Sequence, residues 1–309
     1  MKKLLLLTLL LISFIGFSQD AEETEEVQDG WRKSGKITLL INQSAFSNWQ
    51  AGGDNNFAGN INLNYDINYL KGDWTWDNKI LASYGLTNNK DDGARKTDDR
   101  LELNSILGKK IKDHWSASFF MNFKTQFTDG YAYEDDYLDQ APPGVVRDNE
   151  NFPTSGFFKP AYWSFGPGVM WKKNDNLYVN LSPLTAKFTF ITSEIFSYNE
   201  DTQDYDSSNL VQTFGVDPGD SYLFEFGFNA RAYYKFDLMK NINVENILNL
   251  FSNYLEKPQN VDIDYTMNIV MKINDVFSTN LTFQTIYDDN AYSGFQIREV
   301  FGLGVNVSL

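Results

Sequence analysis

The sequence predicts an all-β protein, a transmembrane antiparallel up-and-down β-barrel of about twelve strands. Three observations predict it. Apolar and polar residues alternate over one stretch after another, the connections between stretches are alternately short and long, and aromatic residues gather at both ends of the stretches.

The alternation is clearest in Tyr222–Leu238. Even positions read Tyr222, Phe224, Phe226, Phe228, Ala230, Ala232, Tyr234, Phe236 and Leu238, while Glu225, Asn229, Arg231 and Lys235 fall between them. A helix would spread these residues around its circumference, whereas a strand separates them onto two faces. Phe57–Tyr69, Trp115–Phe127, Val261–Ile273, Phe277–Tyr287 and Phe301–Leu309 repeat the pattern. Taken in order, the expected strands cover residues 35–43, 57–69, 74–86, 100–109, 115–128, 162–172, 177–196, 222–238, 242–254, 261–273, 277–287 and 295–309. The seventh changes phase at Ser182-Pro183: Leu177, Val179 and Leu181 are odd, but Leu184, Ala186 and Phe188 are even. Proline cannot donate to a ladder and one extra residue flips the faces, so a bulge is expected there.

Short connections fall near Lys71-Gly72, Lys110–Asp113, Lys173–Asn176, Met239–Asn241 and Asn274–Val276. Longer ones fall at 44–56, 87–99, 129–161, 197–221 and 288–294, with only Glu256–Asn260 short on that side. Short periplasmic turns opposite long outer loops are the signature of outer-membrane barrels. Trp74, Trp76, Trp115 and Trp171 crowd the short turns, and Tyr84, Trp163, Tyr222 and Tyr287 sit toward the long loops, as two interfacial girdles would. The rival is a soluble β-sandwich or lipocalin-like barrel, which turns its apolar face inward. The Asn-, Asp- and Lys-rich polar face, the number of apolar faces and the loop asymmetry favour the membrane form, with outer-membrane lipid against the apolar side.

Ahead of the barrel, Lys2-Lys3, the apolar run Leu4–Phe17 and the small residues around Ser18 read as a secretory signal peptide over residues 1–18. Residues 19–34, with Glu22, Glu23, Glu25 and Glu26, read as an acidic disordered periplasmic lead-in. The barrel is expected over 35–309, in the outer membrane. With 41 Asp+Glu against 26 Lys+Arg, the chain lacks the basic balance that nucleic acid demands. It has no cysteine, which excludes disulfides and thiolate chemistry, and only one histidine, His114.

The run Ser44-Ala45-Phe46-Ser47-Asn48-Trp49-Gln50-Ala51-Gly52-Gly53-Asp54-Asn55 resembles a stretch in a domain-of-unknown-function family of exported outer-membrane barrels from Bacteroidota-type bacteria. Leu181–Lys187 is similar to the same family, with Ala186 where its members often carry Gly. The resemblance implies the membrane setting over most of the mature chain and implies no activity.

No catalytic, cofactor or metal residues are expected, and the chain is read as not an enzyme. A serine–histidine site would have to use His114, which lies in a predicted turn with no nucleophile context. The paired carboxylates Asp135-Asp136 lie in a loop with no pocket evident, and since acidic loops supply such pairs throughout, they do not point to glycoside hydrolysis. The functional candidates are instead the charged residues on the polar face: Asp66, Asp77, Glu102, Glu225, Glu245 and Asp264, with Asp262 beside them, and Lys79, Lys124, Lys187, Arg231, Lys235, Lys272 and Arg298. Charges facing one another across a lumen either line a narrow pore or interlock and plug it. The expected long loops together with Glu256–Asn260 carry 21 Asp+Glu against 6 Lys+Arg, an outer rim that would attract cations or hold divalent ions. Two functions are compatible with this: a narrow passage for small polar solutes with mild cation preference, or a non-conducting accessory subunit bound to outer-membrane protein partners.

Overall fold

The computed structural model describes residues 29–45, 56–89, 93–131, 153–192, 195–199, 201–202, 204–207 and 210–309. The expected signal peptide, residues 19–28 of the lead-in, the Phe46–Asn55 part of the motif, and, in the expected long loops, the acidic residues Glu134, Asp135, Asp136, Asp139 and Glu200 lie outside them.

Among the described residues sixteen strands form in chain order: β1 (Gly30–Ser44), β2 (Asn56–Lys71), β3 (Trp74–Asn89), β4 (Gly93–Lys112), β5 (Trp115–Thr125), β6 (Gly130–Tyr131), β7 (Pro153–Ser155), β8 (Ala161–Asn174), β9 (Leu177–Phe190), β10 (Phe196–Asn199), β11 (Asp204–Ser207), β12 (Tyr222–Met239), β13 (Ile242–Asn253), β14 (Asp262–Lys272), β15 (Phe277–Asp288) and β16 (Tyr292–Ser308). Twelve close into one antiparallel barrel in the ring order β1-β2-β3-β4-β5-β8-β9-β12-β13-β14-β15-β16, and β16 returns to β1. The small hairpins β6-β7 and β10-β11 stand apart from the ring at the long-loop end. Each expected strand corresponds to one barrel strand.

The alternation sets the two faces. Ile61, Phe119, Leu184, Phe224, Phe301 and Leu303 project outward and are exposed. Asn60, Glu102, Ser118, Asn180, Thr185 and Gln284 project inward and are buried. A water-soluble barrel does the reverse, so the outer face is built for hydrocarbon and the backbone satisfies its polar groups within the closed ladder. A lysine at Ile61, halfway up β2 on the outer face, is expected to destabilise the folded barrel by about 2–4 kcal/mol. Reversible unfolding from phospholipid vesicles measures this, and an unchanged midpoint would place the β2 face away from lipid.

The bulge lies where the phase change puts it. Thr185 pairs with Gly227 but Ser182 pairs with Asn229, so Pro183 and Leu184 occupy the extra position. Ser182 and Thr185 are both fully buried on the inside while Leu184 is 54% exposed outside. On the other flank Gly166 and Gly168 face the bulge, and a Cβ on either would collide with the carbonyl oxygen of Leu184 or Leu181.

Several boundaries differ from expectation. β1 begins at Gly30, ahead of residue 35, so residues 30–34 are ladder rather than lead-in and pair with Leu70–Asp66. Trp31 anchors this end, packing on Tyr69 at 4.8 Å and Trp76 at 5.8 Å between ring centroids. The expected loops at 87–99 and 288–294 are mostly strand: Leu86 pairs with Lys96, Thr87 with Arg95 and Tyr287 with Phe295. Where a hairpin rises above the hydrocarbon both faces meet water, so the apolar alternation that betrays a strand disappears. β5 and β9 end at Thr125 and Phe190, short of the expected 128 and 196. The closing pair β1-β16 is joined through six register pairs, Lys36–Ile41 against Ser308–Leu303, whereas β1-β2 runs from Gly30 to Ser44 without interruption.

Candidate functional site: the barrel lumen

The lumen is crossed by side chains from opposite walls. Lys79 on β3 and Glu245 on β13 stand six strands apart in either direction around the ring, yet their charged groups meet at 3.2 Å. Lys79 also holds Asp66 at 3.2 Å. Glu245 accepts hydrogen bonds from the Tyr233 hydroxyl at 2.8 Å and from Asn268 Nδ2 at 2.9 Å. The ammonium lies 5.4 Å from the centre of the Tyr233 ring, which stacks on Tyr178 at 5.3 Å.

A second layer crosses toward the long-loop end. Glu102, only 1% exposed, pairs with Arg100, accepts from Asn104 Nδ2 at 2.8 Å and Asn122 Nδ2 at 3.0 Å, and faces Arg231 of β12 at 3.9 Å. Lys124 of β5 pairs with Asp264 of β14, whose other oxygen accepts from Gln284 at 2.9 Å. Arg298 of β16 pairs with Asp98 of β4, which also accepts from Asn60 at 2.9 Å. Above these, Lys187 joins Glu225 and Asp262 at 2.9 Å each and Asp288 at 3.9 Å. Unpaired charges at such depth would be untenable, and each of these is neutralised by an oppositely charged partner.

At the short-turn end Lys172 of β8 binds Asp77 of β3 at 2.6 Å and Asp175 at 2.9 Å, and Arg32 of β1 reaches Asp175 at 2.9 Å. Asp175 sits in the β8-β9 turn, outside the spanning strands. Burial pushes its carboxyl up, but Lys172 and Arg32 overcome that and hold it below the ordinary carboxylate range. A carboxyl lowered on folding adds stability above its unfolded pKa and loses it as pH falls through the folded value. Asp175→Asn is therefore expected to cost most stability at neutral pH and to flatten the acid limb of the stability–pH profile, so that the difference from the wild type shrinks below about pH 4. Unfolding midpoints of both proteins across pH 2–7 test it, and parallel acid limbs would contradict it.

Two chambers open in the lumen among the described residues. One, of about 530 Å³, lies toward the long loops and is lined by Arg100, Lys124, Lys187, Arg231 and Arg298, by Asp98, Asp262, Asp264 and Asp288, and by Phe120, Tyr162 and Phe251. The other, of about 440 Å³, lies on the β1-β2-β13-β14 side toward the short turns. Its wall is basic, with Lys36, Lys79, Lys235, Lys240 and Lys272 against Asp66, Asp237 and Glu245. Arg100 and Arg298 border both. Asp262, Asp288 and Asp289 offer carboxylate oxygens within 4.8 Å of one another at the acidic mouth, where Lys187 already neutralises the first two.

The structure brings Asp66, Lys79 and Glu245 together, then Glu102 with Arg231, Lys124 with Asp264, and Lys187 with Glu225 and Asp262. Asp77 and Arg298 find partners absent from the expected set, Lys172 and Asp98. Lys235 and Lys272 line the basic chamber. Sequence reasoning also missed Ile106, Phe120 and Met170, a buried apolar cluster on the inner face with Tyr178 against it. Phe120 standing on the polar side of its strand was the available signal. His114 lies in the β4-β5 turn, its ring 6.2 Å from that of Trp171.

Residues 41–131 match the family described as "Protein of unknown function (DUF3078)". That span contains the Phe46–Asn55 motif segment and excludes Leu181–Lys187, so the match is narrower than the expected resemblance. No curated protein matches the chain. Among solved structures, an outer membrane channel from Pseudomonas putida F1 is 10% identical, covering 94% of this chain and 99% of that one with a TM-score of 0.38. The β domain of the Bordetella autotransporter BrkA is 11% identical over 90% and 99% of the two chains, at 0.35. The translocator domain of the autotransporter NalP from Neisseria meningitidis is 8% identical over 99% and 95%, at 0.33.

Proposed function

We propose that the chain is an integral outer-membrane barrel whose lumen is a narrow passage for small polar solutes, held shut at rest by its crossing ion pairs. The observation that carries this reading is the pair of polar chambers on either side of the crossing layer, sharing Arg100 and Arg298. A barrel serving only as a scaffold gains nothing from charged, water-sized space in its interior. The long-loop mouth is acidic and the opposite chamber basic, so their preferences oppose each other and leave a mild cation preference set at the acidic entrance. The reading includes a cleaved export signal, an outer face against lipid, and no enzymatic role.

Planar-bilayer recording of the refolded barrel tests it. Brief openings above a closed baseline are expected, with cation selectivity that falls when Asp288 and Asp289 become asparagine. A folded, heat-modifiable barrel that never conducts would favour the accessory reading. The span of Lys79–Glu245 across the full ring favours that alternative, because it braces opposite walls as a structural tie would.

A further inference from the structure

We infer that the 530 Å³ chamber binds zwitterionic solutes of dipeptide size, which enter by exchanging for the Lys124–Asp264 pair; this rests on the passage reading above. Any solute moving along the lumen must part charges that now neutralise each other. Parting a buried pair leaves both partners uncompensated, and a solute with one charge satisfies only one of them. A solute carrying a carboxylate and an ammonium replaces both halves at once.

The pair lies where such an exchange can happen. Both partners line the chamber, and their side chains are 26% and 13% exposed, more open than the 4% and 1% of Arg231 and Glu102. Asp264 stays oriented by Gln284 when Lys124 leaves. Two residues on β12 that line the same chamber carry polar atoms without a protein partner, Arg231 Nη2 and Asn229 Oδ1. One is a donor suited to a carboxylate and the other an acceptor suited to an ammonium or amide N–H. Phe120, Tyr162 and Phe251 supply an apolar wall for a side chain. The volume falls within the range of small-molecule sites, about 300–1,000 Å³.

Calorimetric titration of the full, folded barrel in detergent tests this with three probes: glycyl-phenylalanine, its N-acetyl form and its C-terminal amide. The zwitterion is expected to bind saturably, and each singly charged relative to bind roughly tenfold or more weakly. Lys124→Met should abolish the preference, and the inverted pair Lys124→Asp/Asp264→Lys should restore it, with heat-modifiability confirming that each variant is folded. Equal affinity for the three probes, or no saturable binding of the zwitterion to the folded wild type, would overturn the inference. Conductance of the same preparation separates the two readings. A barrel that conducts without discriminating the probes loses the inference alone, and one that binds the zwitterion but never conducts loses the passage.

Discussion

Replacing Glu102 with leucine is expected to destabilise the barrel by about 3–5 kcal/mol, the largest effect of any single lumen substitution. Glu102 is almost fully buried and lies between Arg100 and Arg231, which are themselves enclosed. Leucine fills similar space but leaves two guanidinium groups without their counter-charge and strips the amide of Asn104 of its acceptor, while Asn122 keeps Asn104 Oδ1 at 2.7 Å. Glu102→Gln keeps an acceptor and should be less damaging. Urea unfolding from vesicles, read by tryptophan fluorescence, gives the difference. A leucine variant as stable as the wild type would mean that water already fills the layer and solvates the arginines.

Removing both ends of the widest tie should act on conductance instead. Lys79→Met/Glu245→Leu deletes a pair without orphaning either charge, and such replacements are often neutral or stabilising. Asp66, Tyr233 and Asn268 remain to be solvated from the basic chamber they border. If the tie favours the closed lumen by about 2 kcal/mol, its loss raises the open fraction roughly 30-fold. Single-channel recording should then show sustained openings where the wild type shows brief ones. Unchanged gating in a folded double variant would assign closure to the Glu102 layer or to the loops above it.

The barrel was legible because a strand with lipid on one side and water on the other must alternate. Even the bulge was readable, since Pro183 coincides with a phase change. Legibility failed in two kinds of place. Hairpin arms such as Thr87–Asn89 against Gly93–Arg95 have no dry face, so nothing in their composition marks them as strand. Partners across the lumen were also hidden: alternation assigns Lys79 and Glu245 to the inside but is silent on tilt and stagger, which decide whether they meet. Lys172, at the very end of its expected strand, turns inward to Asp77 across the ring, a partner that alternation does not reveal.

The β1-β16 seam has a consequence for how the barrel forms. Every other ring contact joins strands that are neighbours in sequence apart from the small side hairpins, and each can zip locally from a turn. The seam alone brings together residues as distant as Thr38 and Asn306, whose side chains hydrogen-bond at 3.0 Å across a separation of 268 positions. Contacts of such long range form late, because chain entropy is spent before they are rewarded. With only six register pairs to hold it, this joint is expected to close last during insertion and to part first when the folded protein is stressed. Until it zips, the curled sheet carries two bare edges into the bilayer, where unsatisfied amides are least tolerable.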